Sequence, residues 1–417
     1  MIVYYGNYFV FLQTKNKRRT MLRNMLPYKI KMSKKLKVMV IVLAVIITLI
    51  IIKMIWVACA TSGLGDWDSE RKDIIRRANY LTERVATSPR QLLNEMPSGI
   101  GEQFQGEWAL YTCSMTSAAL ANIALLYPQN KEVSLKFIDK IIDIALSEEM
   151  REYDALRWSE DPMDGIYGDL SHISYYSHLA WMISRYKEIG GDNKYDMEYH
   201  TLCKAMNRKI RESKYLNLPT YPGECIYVPD MLVAIVALNY YAKQNGGKYS
   251  ETVKLWVDKA KHEWIDQETG LLSSFLEVDH DSLKIAPPIK GSYSALNCYY
   301  LSLVDSEFAM EQYELLKKHF KQTFPVSGIS EYHDHSCWFG VDIDAGPVIM
   351  NLSPSGTGFA IGCATSLGDM EFRNKLLKTA EIGGSTVSWL GQNHYLLANF
   401  ALVGEAIILA MRTTQQK

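Results

Sequence analysis

The sequence predicts an all-α protein, a closed (α/α)6 toroid of helical hairpins preceded by one N-terminal transmembrane helix. Three observations support this fold class. Twelve helix-length segments follow one another from residue 69 onward, they alternate between one apolar face and an almost wholly apolar composition, and one long apolar run precedes them. A helix that is apolar on all sides must be buried, and a helix with one apolar face can cover it. An open solenoid of the same hairpins is the alternative.

The N-terminal region is basic at first and then strongly apolar. Residues 1–37 contain ten Lys or Arg residues and no acidic residue, and residues 38–59 form an apolar run interrupted by Lys53. At ~1.5 Å per residue this run is about 33 Å long, which is enough to cross a bilayer. The basic flank predicts a cytoplasmic N-terminus and an extracytoplasmic toroid, periplasmic in a Gram-negative cell.

The boundaries of this region leave alternatives open. The segment MSKK at 32–35 resembles a second start, in which case residues 1–31 are an upstream extension that is not translated. Cleavage of the apolar run and lipidation at Cys59 are both open. Residues 60–68 are a short linker, and residues 69–417 are expected to form the toroid domain.

The remainder of the chain is acidic. The formal net charge is −1, but removing the eleven basic residues up to Lys53 from the total of 45 leaves 34 against 46 acidic residues. Nucleic-acid binding depends on Lys and Arg contacts to phosphate, so nucleic acid is a poor candidate for a partner. The 26 Tyr and 9 Trp residues favour either a cleft for sugars or apolar ligands, or an aromatic core.

The predicted helices form six pairs, in which an amphipathic outer helix precedes an apolar inner helix. Long connections with Gly, Pro and aromatic residues lead into most inner helices, and short turns lead out. Because function concentrates on long loops set on a rigid scaffold, we expect the site where the inner helices begin. The outer helices are predicted at 69–86, 131–147, 195–213, 249–265, 306–323 and 369–382, the inner helices at 106–127, 168–189, 229–242, 291–304, 347–367 and 393–411, and the long connections at 88–105, 151–167, 215–228, 266–290, 324–346 and 383–392.

Candidates for general acid–base chemistry stand where the first three inner helices begin. Glu107 is in the predicted first turn of the first inner helix, where helix capping is the alternative role. Asp169 and His172 are three residues apart, and His172 and Tyr176 are four apart. We therefore expect these three side chains on one helix face, directed either to a cavity or into an internal network. Glu224 lies in a Pro/Gly turn before the third inner helix.

The connection before the fifth inner helix concentrates polar and aromatic residues. Its HxH pair, His333 and His335, and its DxD pair, Asp342 and Asp344, suit a divalent metal, direct acid–base chemistry or loop structure. The sequence contains no glycine-rich phosphate loop, nucleophile elbow or paired Cys motif, so we expect cofactor-free acid–base catalysis, with Asp342 as a further catalytic candidate. The candidates for substrate binding are Trp108, Tyr111, Tyr176, Tyr227, His335, Trp338, Asp344, Asn351, Trp389, Asn393 and His394.

Two stretches carry a resemblance to known proteins. Residues 158–196 contain a Trp, an Asp-Pro pair and a Gly-Asp-x-Lys-Tyr ending, and residues 221–224 read Tyr-Pro-Gly-Glu. These features resemble the linalool dehydratase/isomerase family, and the helical pattern resembles the (α/α)6 glycosidases, lyases and epimerases. The family resemblance implies cofactor-free elimination and addition of water. Gly223 stands where that family has a cysteine, Cys225 is displaced by two residues, and Asp230, a candidate helix cap, lies near the second cysteine of the family.

These observations favour a membrane-anchored extracytoplasmic enzyme that acts on a carbohydrate or glycan as a hydrolase or lyase. Glu107, Asp169 and Glu224 are its expected acid–base groups. One alternative is a linalool dehydratase/isomerase-like hydro-lyase acting on a small alcohol, which a closed apolar cavity would favour. A non-catalytic glycan-binding or assembly protein is another alternative, and the absence of a converging pair of carboxyl groups would favour it.

Overall fold

The structure is a computed structural model that describes residues 33–97, 99, 101–280, 282–334, 336–342 and 344–416. The chain divides into two units, Met1–Trp56 and Val57–Lys417. Helix α1, Lys34–Ala60, is long and apolar enough to cross a membrane, and it is a candidate membrane anchor or signal. The helical segment Phe104–Leu126 also meets the length and composition criterion, but it is mostly buried inside the protein.

Among the residues that the structure describes, twelve further helices build a ring with an inner and an outer layer. Each inner helix packs against the next one in chain order, and the last inner helix packs against the first, so the ring is closed. The predicted toroid is therefore confirmed over the open solenoid. The outer helices are α2 Trp67–Val85, α5 Lys131–Ala145, α8 Asp196–Glu212, α10 Ser250–Glu263, α12 Ser306–Phe320 and α14 Met370–Gly384, and the inner helices are α4 Glu102–Leu126, α7 Ile173–Glu188, α9 Val228–Gln244, α11 Gly291–Ser302, α13 Pro354–Ser366 and α15 Leu402–Arg412.

The composition of the inner helices explains their place in the ring. Nearly every residue of α9, and every residue of α11, is buried. Small residues let neighbouring inner helices approach closely. A Cβ atom placed on Gly362 of α13 would lie 2.7 Å from Tyr299 of α11 and 2.4 Å from Met411 of α15. Outer helices such as α5 instead bury one face and leave the other in solvent.

The inner helices run in the same direction. At one end, Tyr227 before α9 packs edge-to-face on Tyr293 in the first turn of α11, with ring centroids 5.8 Å apart. At the other end, Arg185 in the last turn of α7 donates to Asn122 near the end of α4 and to Tyr240 near the end of α9. The end at which the inner helices begin is called the mouth below, and the connections into the inner helices meet there.

The connections between the helices contain short antiparallel strands, which the sequence patterns did not predict. They form one three-stranded sheet and three two-stranded hairpins among the described residues. Two further helices, α3 Pro89–Asn94 and α6 Glu148–Trp158, also precede inner helices. The strands are β1 Ile226–Tyr227, β2 Phe275–Asp279, β3 Ser282–Ala286, β4 Lys321–Gln322, β5 Gly328–Ile329, β6 Phe339–Asp342, β7 Gly346–Ile349, β8 Thr386–Trp389 and β9 Gln392–Tyr395.

Three inner helices begin later than the sequence indicated. The predictions that helices start at 347 and 393 are wrong, because residues 346–349 and 392–395 pair with the preceding strands as β7 and β9. Helix α13 begins only at Pro354, where Ser353 accepts from the backbone N–H of Gly356 as the N-cap. Helix α7 begins at Ile173 rather than at 168. Residues 148–158, partly assigned to a connection, form helix α6.

Candidate active site

Three carboxyl groups from different parts of the chain influence one another at the mouth. Glu107 projects from the second turn of α4 and is partly buried, Asp230 lies in the first turn of α9 and is buried, and Asp344 lies on the turn between β6 and β7. Burial raises the pKa of Glu107 to about 8, and the neighbouring carboxyl groups of Asp230, Asp344 and Glu224 add to this rise. Two carboxyl groups that repel each other cannot easily ionise together, so the site retains a proton near neutral pH.

Asp230 shows the same behaviour for related reasons. Burial raises its pKa to about 7, although hydrogen bonds from the Thr220 and Ser174 hydroxyl groups oppose the rise. Ser174 belongs to the first turn of the neighbouring inner helix α7, so this carboxyl group is held between two inner-helix starts. A buried acid with a pKa near 7 is able both to donate and to accept a proton at neutral pH.

Asp344 and Asp342 share one hairpin, but their pKa values are shifted in opposite directions. Asp344 is exposed at the mouth, and Tyr293 donates to its Oδ2 over 2.6 Å; desolvation of the carboxyl group by the surrounding protein, together with nearby Asp342, nevertheless raises the pKa of Asp344. Partial burial would also raise the pKa of Asp342. The Lys290 ammonium group, 2.5 Å from Oδ2 of Asp342, and the backbone N–H of Ala345 lower it below its ordinary value. Asp342 thus forms an ion pair with Lys290, whereas the charge of Asp344 acts on Glu107 and Asp230.

Aromatic side chains line the region between these carboxyl groups. The hydroxyl groups of Tyr111 and Tyr300 lie 3.2 Å apart. Tyr227, Phe275 and Tyr293 pack on one another with ring centroids 5.0 to 5.8 Å apart. Burial raises the pKa of Tyr111, Tyr227 and Tyr293, so their phenol groups stay protonated and able to donate hydrogen bonds.

Helix α6 provides another wall of the site. Arg157 donates to Glu224 over 2.6 Å, and the ring of Trp158 stacks on Tyr221 with centroids 4.0 Å apart. The hydroxyl groups of Tyr153 and Tyr221 lie 3.3 Å apart. The positive charge of Arg157 lowers the pKa of Glu107, in opposition to burial and to the other carboxyl groups. Helix α6 therefore contributes to the electrostatics of the site.

The structure brings Glu107, Glu224, Tyr111, Tyr227 and Asp344 of the predicted site residues into this neighbourhood. Trp108 is partly buried against the hydrophobic core. His335 lies outside the described residues. Within the part of the chain that the structure describes, no three His, Cys, Asp or Glu side chains form a group suited to one metal ion.

Other predicted residues lie elsewhere. Asp169 is exposed and precedes α7, so the prediction that it shares a helix face with His172 is wrong. His172 is fully buried between two carboxylates, and Tyr176 donates to the Pro162 carbonyl oxygen over 2.6 Å. Asn351 is buried and donates to the Tyr332 carbonyl oxygen.

The hairpin residues among the predicted set divide into two groups. Trp338 and Trp389 are 55% and 72% exposed, which leaves both rings available at the mouth. Asn393 and His394 of β9 face the outer helix α2 instead. The Asn393 amide donates to Asp73 over 2.7 Å, and the His394 ring stacks on Tyr80 with centroids 4.0 Å apart.

Sequence reasoning left several site residues out of the predicted set. Asp230 was interpreted as a helix cap, yet an acid near the start of a helix that is apolar on all sides has to be buried, and that pattern was a usable signal. Lys290 is the last residue of a connection, and Tyr293 lies in the first turn of the fourth inner helix, whose first turn carries no acidic residue that would have marked the position. Tyr153 and Arg157 lie on a helix that the pattern assigned partly to a connection, so spacing alone could not place them.

The closed ring of apolar inner helices defines the class of this protein, an all-α toroid, and a group of interacting carboxyl groups lies at its mouth. A family model described as linalool dehydratase/isomerase matches residues 171–396, more than half of the chain. The chain therefore belongs to the linalool dehydratase/isomerase family, as the resemblance of residues 158–196 and 221–224 indicated. The match includes Glu224, Asp230 and Asp344, and it begins after Glu107.

The comparison with solved structures gives a distant likeness. A structure described as an unsaturated glucuronyl hydrolase specific for heparin aligns with a TM-score of 0.49 and 9% sequence identity, over 81% of this chain and 96% of that chain. Among curated proteins, none matches the chain.

Proposed function

We propose that this protein is a hydro-lyase or isomerase that removes and adds water at a small alcohol by acid–base chemistry between carboxyl groups. The observation that carries the proposal is the paired environment of Glu107 and Asp230, whose pKa values lie at about 8 and about 7. Two coupled carboxyl groups with pKa values near neutral pH can share one proton and so supply an acid and a base at the same time. Membership of the family supports this reaction class.

The expected step begins with Glu107 protonated. Its carboxyl group donates a proton to the substrate hydroxyl group as the C–O bond breaks, and water leaves. Asp230 or Asp344 in its carboxylate form removes a proton from the adjacent carbon, and the electron pair of that C–H bond forms the new double bond. The reverse sequence adds water. Phenol groups such as Tyr111 and Tyr293 would orient the hydroxyl group and exclude bulk water.

Two departures from the family turn support a proposal of chemistry on carboxyl groups rather than on a thiol. Gly223 replaces a cysteine, and Cys225 is exposed. A thiol is therefore missing from the position that carries one in the family, whereas Asp230, near the second cysteine of that pattern, is buried among the other acids. We propose that Asp230 takes the proton-transfer role at this point of the ring.

Glu107→Gln and Asp230→Asn test this assignment, because each keeps the shape of the side chain and removes its titration. Loss of water from small allylic and tertiary alcohols would be followed by gas chromatography of the alkene product. We expect each variant to lose at least ~100-fold in turnover, since positioned acid–base groups contribute that much. Glu251→Gln, at a highly exposed outer-helix glutamate, is the matched control. Unchanged turnover in Glu107→Gln would remove this residue from the mechanism.

A glycan hydrolase or lyase is the second candidate. The exposed rings of Trp338 and Trp389 on the mouth hairpins favour it, since aromatic faces of this kind stack on sugars. Trp338→Ala and Trp389→Ala should then weaken binding of oligosaccharides while leaving the conversion of small alcohols unchanged. If a glycan panel shows neither cleavage nor binding, the glycan function is rejected.

We also propose that α1 anchors the catalytic domain to a membrane, with the N-terminus in the cytoplasm. The helix is 27 residues long and entirely apolar in its central part, and basic residues concentrate before it. Full-length protein should remain in the membrane pellet after carbonate washing, and added protease should reach the toroid from the extracytoplasmic side alone. Release by carbonate, or cleavage from the cytoplasmic side, would contradict the anchored arrangement.

A further inference from the structure

A buried histidine with carboxylates on both sides lies behind the wall of the site. Nδ1 of His172 is 2.7 Å from Oδ1 of Asp154, and Nε2 is 3.0 Å from Oε2 of Glu160. The side chains of His172 and Asp154 are fully buried, and that of Glu160 is 30% exposed. Ionised carboxylates accept hydrogen bonds and do not donate them, so both ring nitrogens must carry hydrogen for both contacts to be favourable. The geometry therefore fits an imidazolium cation.

The two carboxylates belong to one structural segment and the histidine to another. Asp154 lies on α6, Glu160 follows the end of that helix, and His172 is the N-cap residue of the inner helix α7. Gly165 makes room for Glu160, because a Cβ atom there would come within 2.4 Å of its carboxylate. The ring of His172 thus ties α6 to the start of α7.

The other charged groups around this contact have partners of their own. Arg151 of α6 pairs with Asp161 at 2.9 Å. Lys209 of the outer helix α8 donates to the carbonyl oxygens of Gly168 and Leu170, and its charge also acts on Glu160. The Tyr176 ring packs edge-to-face on His172, with centroids 6.0 Å apart. Of the described groups, His172 is the cation in direct contact with Asp154 and Glu160.

Helix α6 connects this contact to the site. Tyr153, next to Asp154, lays its ring on Gly106, where an added Cβ atom would come within 2.3 Å of the ring. Gly106 immediately precedes Glu107, and the Tyr153 hydroxyl group lies 3.3 Å from that of Tyr221. One turn further along α6, Arg157 holds Glu224. Any displacement of α6 would therefore move groups that surround Glu107.

We propose that His172 is a positioning residue whose positive charge holds α6 against the site, so that loss of this charge loosens the wall that carries Tyr153 and Arg157. The catalytic consequence rests on the proposed function, whereas the loosening of the helix does not. A neutral imidazole keeps one N–H. Its second nitrogen then directs a lone pair at a carboxylate, and one of the two contacts becomes repulsive.

The carboxylates of Asp154 and Glu160 determine how the stability of the His172 contact changes with pH. Burial lowers the pKa of His172, but the hydrogen bonds and charges of Asp154 and Glu160 outweigh burial and raise the pKa above 6.5. A group whose folded-state pKa is raised stabilises the protein fully below its unfolded pKa and loses that effect as the pH rises through the folded value. The contact should therefore hold at pH 6 and open as the pH rises through the folded-state pKa of His172, which lies above 6.5.

Hydrogen exchange of the full-length protein in detergent micelles tests this inference without any need for turnover. Protection factors, corrected for the intrinsic effect of pH, would be measured between pH 6 and pH 9 for α6 and for the neighbouring α5. In the wild type, protection of α6 should fall by about tenfold or more as the pH rises, because a charge-assisted contact is lost, while α5 stays constant. His172→Gln should show low protection of α6 at every pH.

Two further variants complete the test. Asp154→Asn retains an acceptor for the Nδ1–H but removes one negative charge, so the pH midpoint of the α6 opening should move downward. His200→Gln, at a histidine of α8 that contacts Tyr241, should behave as the wild type. Wild-type protection that does not change with pH, or an unchanged midpoint in Asp154→Asn, would overturn the inference. If exchange behaves as expected and no alcohol is converted, the proposed function fails and the positioning role stands.

Discussion

Replacing Glu107 by Gln should make the protein more stable at alkaline pH while it removes activity. The folded protein holds a proton on Glu107 up to a pKa of about 8, whereas the unfolded chain releases it near 4.5. Between these values the unfolded state binds fewer protons, so the stability contributed at this position declines as the pH rises. Gln does not titrate and therefore avoids this loss.

The magnitude follows from the difference between the two pKa values. At ~1.4 kcal/mol per pKa unit, the values of about 8 and 4.5 correspond to about 5 kcal/mol as an upper bound. Because Glu107 is only partly buried and is coupled to Asp230, we expect about 2–4 kcal/mol. The unit Val57–Lys417 has 361 residues, and at ~2.1 cal/mol/K per residue a gain of about 3 kcal/mol raises Tm by about 4 °C.

The assay is thermal unfolding of wild type and Glu107→Gln at pH 5 and at pH 8.5, followed by circular dichroism in the same detergent. The difference in Tm should be small at pH 5 and several degrees at pH 8.5. Glu251→Gln, at an exposed position, controls for a general effect of removing one negative charge. Equal Tm values at pH 8.5, or the same difference at both pH values, would refute the assignment of a shielded, protonated carboxyl group to this position.

Three other perturbations have definite expected outcomes. Arg373→Met should lower the free energy of unfolding by about 2–3 kcal/mol in a denaturation experiment, since the buried Glu70 carboxylate loses the Arg373 guanidinium at 2.8 Å but keeps Arg412, also at 2.8 Å. Tyr293→Phe removes a hydrogen bond that lowers the pKa of Asp344, so a pH–rate profile should show its acidic limb displaced to higher pH. Gly106→Ala should reduce turnover at least ~10-fold at unchanged secondary structure, because the added methyl group displaces the aromatic ring of α6 that packs on this glycine.

The helices were predictable because the burial of a helix face requires apolar residues at a helical spacing, and this spacing is visible in the sequence. Segments such as α9 are apolar on every side, and no other position in a water-soluble domain accommodates such a helix. The starts of α13 and α15 were placed too early because the strands before them are four residues long and continue directly into apolar composition. Helix α6 was only partly assigned because its many charged residues resemble a connection, although Ser147 caps it and Glu148 and Glu149 lie in its first turn.

The candidate site was predictable in part. Placing function where inner helices begin led to Glu107 and Asp344, which the structure brings into one electrostatic neighbourhood. The partners of His172 could not be predicted from the sequence. Sequence spacing suggests Asp169 and Tyr176, whereas in the folded protein the partners are Asp154 and Glu160. Periodicity within one helix cannot reveal a contact between a helix start and a preceding helix.

Closure of the ring has a consequence for how the chain reaches its native state. The last inner helix fills the remaining gap beside the first, and Arg77 of α2 and Glu405 of α15 meet there at 2.7 Å in the interior. Until that final segment has been synthesised, the five preceding inner helices have an open apolar flank, and Arg77 lacks its partner Glu405. Newly made chains should therefore depend on chaperones throughout synthesis. Chains truncated before the last inner helix should be degraded by proteases rather than persist as partial rings.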